Sequence, residues 1–184
     1  MPNLYLIGEP NGAGKTTIAS QMLPNYVGCR EFVNADNIAA GLSPFQPETV
    51  ALQAGRLMLE RMQALAKTLT DFAFESTLAS RTFASFLQSC KAQGYTIHLL
   101  YIWLQNEELA VARVAARVRA GGHAIPEATI RRRYHAGRDN FLKLYLPLAD
   151  QWRAYDNTYQ EPRLIASNET IFLPELWSQL SHAK

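Results

Sequence analysis

The feature that most constrains this chain is a four-residue apolar run, Leu4-Tyr5-Leu6-Ile7, that breaks into Gly8-Glu9-Pro10-Asn11-Gly12-Ala13-Gly14-Lys15-Thr16-Thr17. A helix-forming stretch, Ile18 to Leu23, follows and is stopped by Pro24. Strand, glycine-rich turn, Lys-Thr and helix, in that order, are what a phosphate-binding loop requires. Backbone N–H groups of the turn and the positive end of the helix dipole converge on a polyphosphate. Asn11, Gly12, Ala13, Gly14, Lys15, Thr16 and Thr17 therefore form the expected nucleotide-binding segment. Lys15 would reach the β- and γ-phosphates, and the Thr16 hydroxyl would hold Mg²⁺. A chance glycine-rich turn does not explain why Gly12, Gly14, Lys15 and Thr16 occur together. One residue departs from the pattern G-x-x-x-x-G-K-[ST]: its first glycine falls on Glu9, with glycine one step early at Gly8. A glutamate there adds negative charge beside the phosphates, and its Cβ disfavours backbone conformations open to glycine.

A length of 184 residues suits one α/β domain with a full core. The expectation is a single domain over 1–184 with a lid region at about 107–145. Hydrophobic content of 48% with 18% charged residues excludes a disordered chain. A net charge of +2 makes no case for nucleic acid or a membrane surface as partner. Cys29 and Cys90 lack CxxC or His-rich surroundings, which argues against zinc and a disulfide scaffold and suits a reducing cytosol. The N-terminal run lacks a basic flank, and the longest apolar stretch, Ile97 to Leu104, contains His98 and is too short for a span. A cytoplasmic protein is expected.

Apolar runs alternate with amphipathic segments, the signature of parallel βαβ units. Strands are predicted at Leu4–Ile7, Glu31–Asn34, Phe72–Glu75, Thr96–Leu104 and Arg163–Ser167. Helices are predicted at Lys15–Leu23, Pro47–Leu69, Arg81–Gln93, Glu107–Ala120, Pro126–Leu144 with a break near Gly137, and Pro174–His182. The fold class is a three-layer α/β/α P-loop NTPase with a mainly parallel sheet of about five strands and a helical, arginine-bearing lid.

Ligands of an open parallel sheet sit at the carboxyl ends of its strands. That rule selects Gly12–Thr17, then Asn34-Ala35-Asp36, Glu75-Ser76-Thr77 and Asn168. Asp36 ends a strand and begins a helix, where it can be the N-cap, a general base for an attacking hydroxyl, or both, since a helix N-terminus also fixes the carboxylate. Glu75 could orient Mg²⁺ through water or bond a substrate hydroxyl, the alternative being a solvated strand end. Thr77 is a candidate substrate contact, with capping of the next helix, alongside Ser76, as the competing role. Arg81, one turn into that helix, faces either an anionic substrate or solvent. Between Arg113 and Arg138 lie seven arginines with Glu127 as the one acidic residue. Arg113 and Arg117, four apart, share a helix face. Gly121-Gly122-His123 breaks that helix, and the next bears Arg131-Arg132-Arg133, which cannot all face one ligand. Two helices on a glycine hinge could close over phosphates, with a solvated basic face or an RNA patch as the bland alternatives. No aromatic stacking surface supports RNA. Tyr155-Asp156-Asn157 sits near a nucleotide base or forms an Asx turn.

Pro10 to Thr17, Val33-Asn34-Ala35-Asp36, Phe74-Glu75-Ser76-Thr77-Leu78, Gly121-Gly122-His123 with Ile125-Pro126, Arg132-Arg133-Tyr134 and Tyr155-Asp156-Asn157 together resemble the zeta-toxin-like P-loop kinases. The likeness is to the small stand-alone group labelled predicted ABC-type ATPases, and it spans roughly residues 3 to 168. It implies ATP·Mg²⁺ as phosphoryl donor and a small-molecule hydroxyl acceptor. In the family that acceptor is a UDP-N-acetyl amino sugar, and a small antitoxin protein blocks the nucleotide site. Carried over, Lys15 and Thr16 hold phosphates and metal, Asp36 is the catalytic base, Glu75 binds substrate, and Arg117 and Arg132 bind phosphate. An ABC-type ATPase is disfavoured by the lack of an LSGGQ-like signature and a strand ending in Asp-Glu, and a GTPase by the lack of NKxD. The competing class is a non-catalytic, degenerate nucleotide-binding interaction protein, which Glu9 favours.

Overall fold

The computed structural model describes residues 1–14, 28–122, 124–159 and 161–182. The helix predicted at Lys15–Leu23, with Lys15, Thr16 and Thr17, lies outside the described residues, as does His123. In chain order the elements are β1 (Asn3–Gly8), β2 (Phe32–Val33), α1 (Ala35–Leu42), α2 (Ala51–Lys67, entered through a 3₁₀ turn at Pro47–Val50), β3 (Phe72–Ser76) and α3 (Thr82–Ala92). Then come β4 (Thr96–Trp103), α4 (Glu107–Arg119), α5 (Glu127–Asn140), β5 (Gln151–Asp156), β6 (Arg163–Ser167) and α6 (Pro174–His182).

The sheet order is β2-β3-β1-β4-β5-β6, parallel except for the antiparallel β5–β6 pair. Six strands stand where the sequence suggests about five. The added one is β5, whose alternation is muted by half-buried residues and by exposed Gln151 and Arg153. Because β6 runs antiparallel, Asn168 falls at the opposite edge from the other candidates, where it pairs with Trp152. The helix from Pro126 is not broken at Gly137. It runs regularly to Asn140 and then widens into a π-type turn at Phe141–Tyr145.

Period-two alternation divides the sheet's two faces. Leu4, Leu6, Phe72, Phe74, Leu99 and Tyr101 face a core shared with Met58 and Met62 of α2 and Leu87 and Cys90 of α3. Ile102 and Leu104 pack instead with Ala110 and Val114 of α4 and Ile130 and Tyr134 of α5. Just beyond α5, Phe141 stacks on Tyr101 with ring centroids 4.0 Å apart. The segment from α5 into that turn thus links the two layers. No helix among the described residues is long and apolar enough to cross a membrane.

Candidate active site

The turn after β1 is shaped by two glycines in the left-handed region, Gly12 at φ +85° and Gly14 at φ +103°. A Cβ at Gly12 would lie 2.9 Å from the Ala110 carbonyl oxygen, and one at Gly14 2.9 Å from Asn157 Nδ2. Ala13 between them is fully buried against α4. The turn is braced from outside. Asn157 Nδ2 donates to the Ala13 carbonyl, and Arg113 donates to the Thr158 carbonyl at 2.9 Å. Asp156 is fully buried, receives Thr158 N at 3.0 Å, Gln105 Nε2 at 2.9 Å and Arg163 at 2.6 Å, and so anchors that junction. Burial pushes its carboxyl upward, but the hydrogen bonds from Thr158, Arg163 and Gln105 outweigh it and leave the group below its usual value. Tyr155-Asp156-Asn157 is therefore an Asx-type junction that also holds the loop. Two left-handed glycines beside closely packed backbone form the kind of turn that presents N–H groups to phosphate.

Glu9 behaves differently from the sequence expectation. The non-glycine residues with positive φ among those described are Leu69 and Leu78, so Glu9 occupies no conformation reserved for glycine. Its side chain is fully buried. The carboxylate thus lies in the fold interior. The glycine this junction needs is Gly8, where a Cβ would overlap the Leu78 side chain. Leu78 itself is left-handed (φ +57°), held by its N–H bonding to Ser76 Oγ at 3.0 Å. Ser76 makes that turn rather than capping α3, whose first N–H, Thr82, is met by Ser80 Oγ.

The two carboxylates are organised by Asn34. Its Oδ1 accepts from Asp36 N at 2.7 Å and Asn37 N at 3.1 Å, which makes Asn34, not Asp36, the N-cap of α1. Its Nδ2 donates to Glu75 Oε2 at 2.9 Å. Released from capping, the Asp36 side chain is exposed and takes no hydrogen bond from a described residue. Glu75 is 8% exposed. Both line a cleft of about 680 Å³, together with Asn11, Thr77 and Arg133.

The arginines separate sharply. Arg131 is tied to Glu107 at 2.7 Å, Glu127 at 2.8 Å and Glu108 at 3.2 Å. Arg132 is exposed and does not line the cleft, whereas Arg133 does. Arg117 is half-buried and packs under Gly122, whose N–H donates to the Arg117 carbonyl at 2.9 Å, so it braces the Gly-Gly turn away from the cleft lining. Arg81 is exposed at the N-cap position of α3, outside that lining. The carboxyl half of α5 is bolted down: a Cβ at Gly137 would overlap the Thr77 carbonyl oxygen, Asn140 donates to the Leu78 carbonyl at 2.8 Å, and Tyr134 to that of Leu104 at 2.6 Å. Asn34 and Arg133 had no assigned role in the sequence reading. Asn34 lies two residues before the candidate base, and only helix phase separates Arg133 from Arg132.

Among the described residues no group of three or more His, Cys, Asp or Glu converges as a metal site. Magnesium held with a nucleotide needs none, since one or two protein oxygens and the phosphates suffice. The glycine turn and the adjacent carboxylate-lined cleft thus fit a magnesium–nucleotide complex. A profile of the zeta toxin family matches residues 1–169. The chain belongs to the zeta toxin family. An uncharacterised protein of Haemophilus influenzae is 32% identical over 124 residues, 67% of this chain and 86% of the relative. Among solved structures, this family member resembles the PezAT chromosomal toxin–antitoxin system of Streptococcus pneumoniae. That match has a TM-score of 0.73 and 17% identity, and covers all of this chain and 80% of the other. It also resembles AvrRxo1-ORF1:AvrRxo1-ORF2, determined with sulphate ions (TM-score 0.78, 18% identity, covering 98% and 64%) and with ATP (0.76, 19%, 98% and 64%). At these identities the likeness establishes the fold, that of the P-loop kinases.

Proposed function

We propose that this zeta toxin family protein is an ATP-dependent kinase that phosphorylates a hydroxyl of a small-molecule acceptor. The observation that carries this reading is the Asn34 clamp, which presents Asp36 and Glu75 in one cleft beside the glycine turn. The nucleotide would lie on Asn11–Gly14 with Lys15, Thr16 and Thr17 completing the loop. Magnesium, on the Thr16 hydroxyl and phosphate oxygens, would neutralise phosphate charge. Asp36 takes the acceptor's proton as its oxygen bonds to the γ-phosphorus and the bond to the β–γ bridging oxygen breaks, releasing ADP. Glu75 holds the acceptor hydroxyl, and Arg133 faces the transferring group. The relative determined with ATP supports the donor, and the toxin–antitoxin relative supports an antitoxin protein as partner. A UDP-N-acetyl amino sugar is the acceptor that the family resemblance favours. The non-catalytic reading rests on Glu9, whose backbone takes no left-handed conformation and whose side chain is buried, so the turn needs no glycine there.

Incubation with labelled ATP and a panel of UDP-amino sugars, nucleosides and aminoglycosides, read by product mass, tests the reaction. Asp36→Asn should lower transfer by about a thousandfold while leaving ATP affinity within about twofold. Unchanged turnover would remove Asp36 from the base role. Failure of the wild-type protein to bind millimolar ATP would end the kinase reading.

A further inference from the structure

Another cavity, of about 480 Å³, is enclosed by the end of β4, by α5 and by α6. Trp103 and Gln105 line it from β4 and its exit, His135 and Arg138 from α5, and Ser178 and Gln179 from α6. It shares no lining residue with the carboxylate cleft. Arg133, on that cleft, and Arg138 are five residues apart on one helix, so about 140° of turn separates them. One helix thus presents one arginine to each cavity.

This cavity gathers buried donors that the fold leaves unmet. Arg138 is 7% exposed, and its Nε is buried with no hydrogen-bond partner among the described residues. Its Nη2 donates to Asp139 at 3.1 Å, a neighbour whose own carboxylate is half-exposed. Trp103 Nε1 is buried too and meets no acceptor at full hydrogen-bond geometry, the Tyr134 oxygen being the group it approaches. Guanidinium and indole nitrogens donate and never accept. A buried donor left unmet is destabilising, and most such groups in folded proteins find a protein atom, a water or a bound molecule. The carboxylates close by are already engaged. Glu107 is paired with Arg131 and His135 at 2.7 Å each, and Asp156 accepts from Gln105, Thr158 and Arg163. One water occupies about 30 Å³, so the space far exceeds what one or two waters need. It falls within the size range of small-molecule pockets, about 300–1,000 Å³.

Two donor-only groups, one of them permanently cationic, call for an anionic acceptor. Carboxylate and phosphate oxygens each accept several such bonds. The rings of Trp103 and Tyr134, both on the lining, add an apolar surface beside the donors. We propose that this cavity binds a small organic acid, its oxyanion head on Arg138 and Trp103 and its flat body against the aromatic rings. Ser178 and Gln179 are exposed and form its rim.

The test titrates the full chain by calorimetry with phenylacetate and phenyl phosphate, and with phenylacetamide as the uncharged counterpart. Saturating magnesium and ADP keep the glycine turn occupied throughout. One of the two acids should bind at least about tenfold tighter than the amide, and which one does so identifies the head. Arg138→Met should weaken that acid by about tenfold or more. Ser178→Phe, at the exposed rim, should obstruct the cavity and weaken it by a similar factor with Tm within about 2 °C of wild type, so the test stands even if Arg138→Met does not fold. Arg132→Met removes the same charge from an exposed position of α5 outside the lining, and should leave the Kd within about twofold. Equal affinity for acids and amide, or an acid affinity unmoved by Ser178→Phe, overturns the assignment. Absence of binding by either acid up to about 10 mM would mean that water alone meets the two donors, and ends it. Either result leaves the kinase reading standing, because no residue of the carboxylate cleft lines this cavity.

Discussion

The two walls of the cleft each carry a helical glycine, for opposite reasons. On α5, Gly137 is glycine because the Thr77 carbonyl occupies the place of a Cβ. On α2, Gly55 also lines the cleft but faces open space. The α5 wall is made rigid by backbone contact and by the hydrogen bonds of Tyr134 and Asn140, and it places one arginine, Arg133, on the cleft that Asp36 and Glu75 also line. The α2 wall is left open at Gly55. A wall that stabilises developing charge gains from preorganisation.

The largest expected effect that would break this contrast lies in the arginines. Arg133→Ala should lower single-turnover phosphoryl transfer by about a hundredfold, and Arg132→Ala should stay within about twofold. Equal losses in both would mean that helix phase does not select the working arginine. Next come the glycines. Gly137→Ala should cost about 2 kcal/mol because the new methyl overlaps backbone that cannot retreat. Gly55→Ala should instead gain about 1 kcal/mol from helix propensity. Thermal melts of the pair measure both signs, and destabilisation in both proteins would erase the distinction between the walls.

The smallest effect concerns Asp156, which anchors the bracing of the loop. Its folded value lies below the usual one of about 3.9, so its ionised form contributes stability that is present above that value and lost as pH falls through the folded one. Asp156→Asn should cost about 1–2 kcal/mol at pH 7, a figure kept modest because its partner Arg163 is half-exposed. The difference from wild type should shrink as pH drops below about 4. A gap in Tm that is constant with pH would show that the charge of Asp156 is irrelevant to the bracing.

Much of the architecture was legible in local pattern. Leu4–Ile7, Phe72–Glu75 and Thr96–Leu104 are apolar enough to be central strands, and they are β1, β3 and β4. β5 escaped because Gln151, Arg153 and half-buried aromatics blur its period, and its antiparallel neighbour then carried Asn168 to the wrong edge. At the site, Asp36 and Glu75 could be named from their places after strands, but the cap between them could not. Asn34, Asp36 and Asn37 are all chemically competent for the start of a helix, and only the backbone geometry selects Asn34. The burial of Glu9 was hidden for a related reason: a loop pattern records which residue departs from it and not where that side chain goes.

The sequence by itself determined the phosphate turn, the alternating βα order and the carboxylates at strand ends, because glycine content, apolar period and strand-terminal position are local properties. Only the tertiary structure decided that Gly8 yields to Leu78, that the Glu9 side chain is buried, and that Arg133 faces the cleft while Arg131 is held by three glutamates. Those outcomes depend on which atoms arrive from elements dozens of residues away. No pattern in one stretch of chain encodes the space that the others leave.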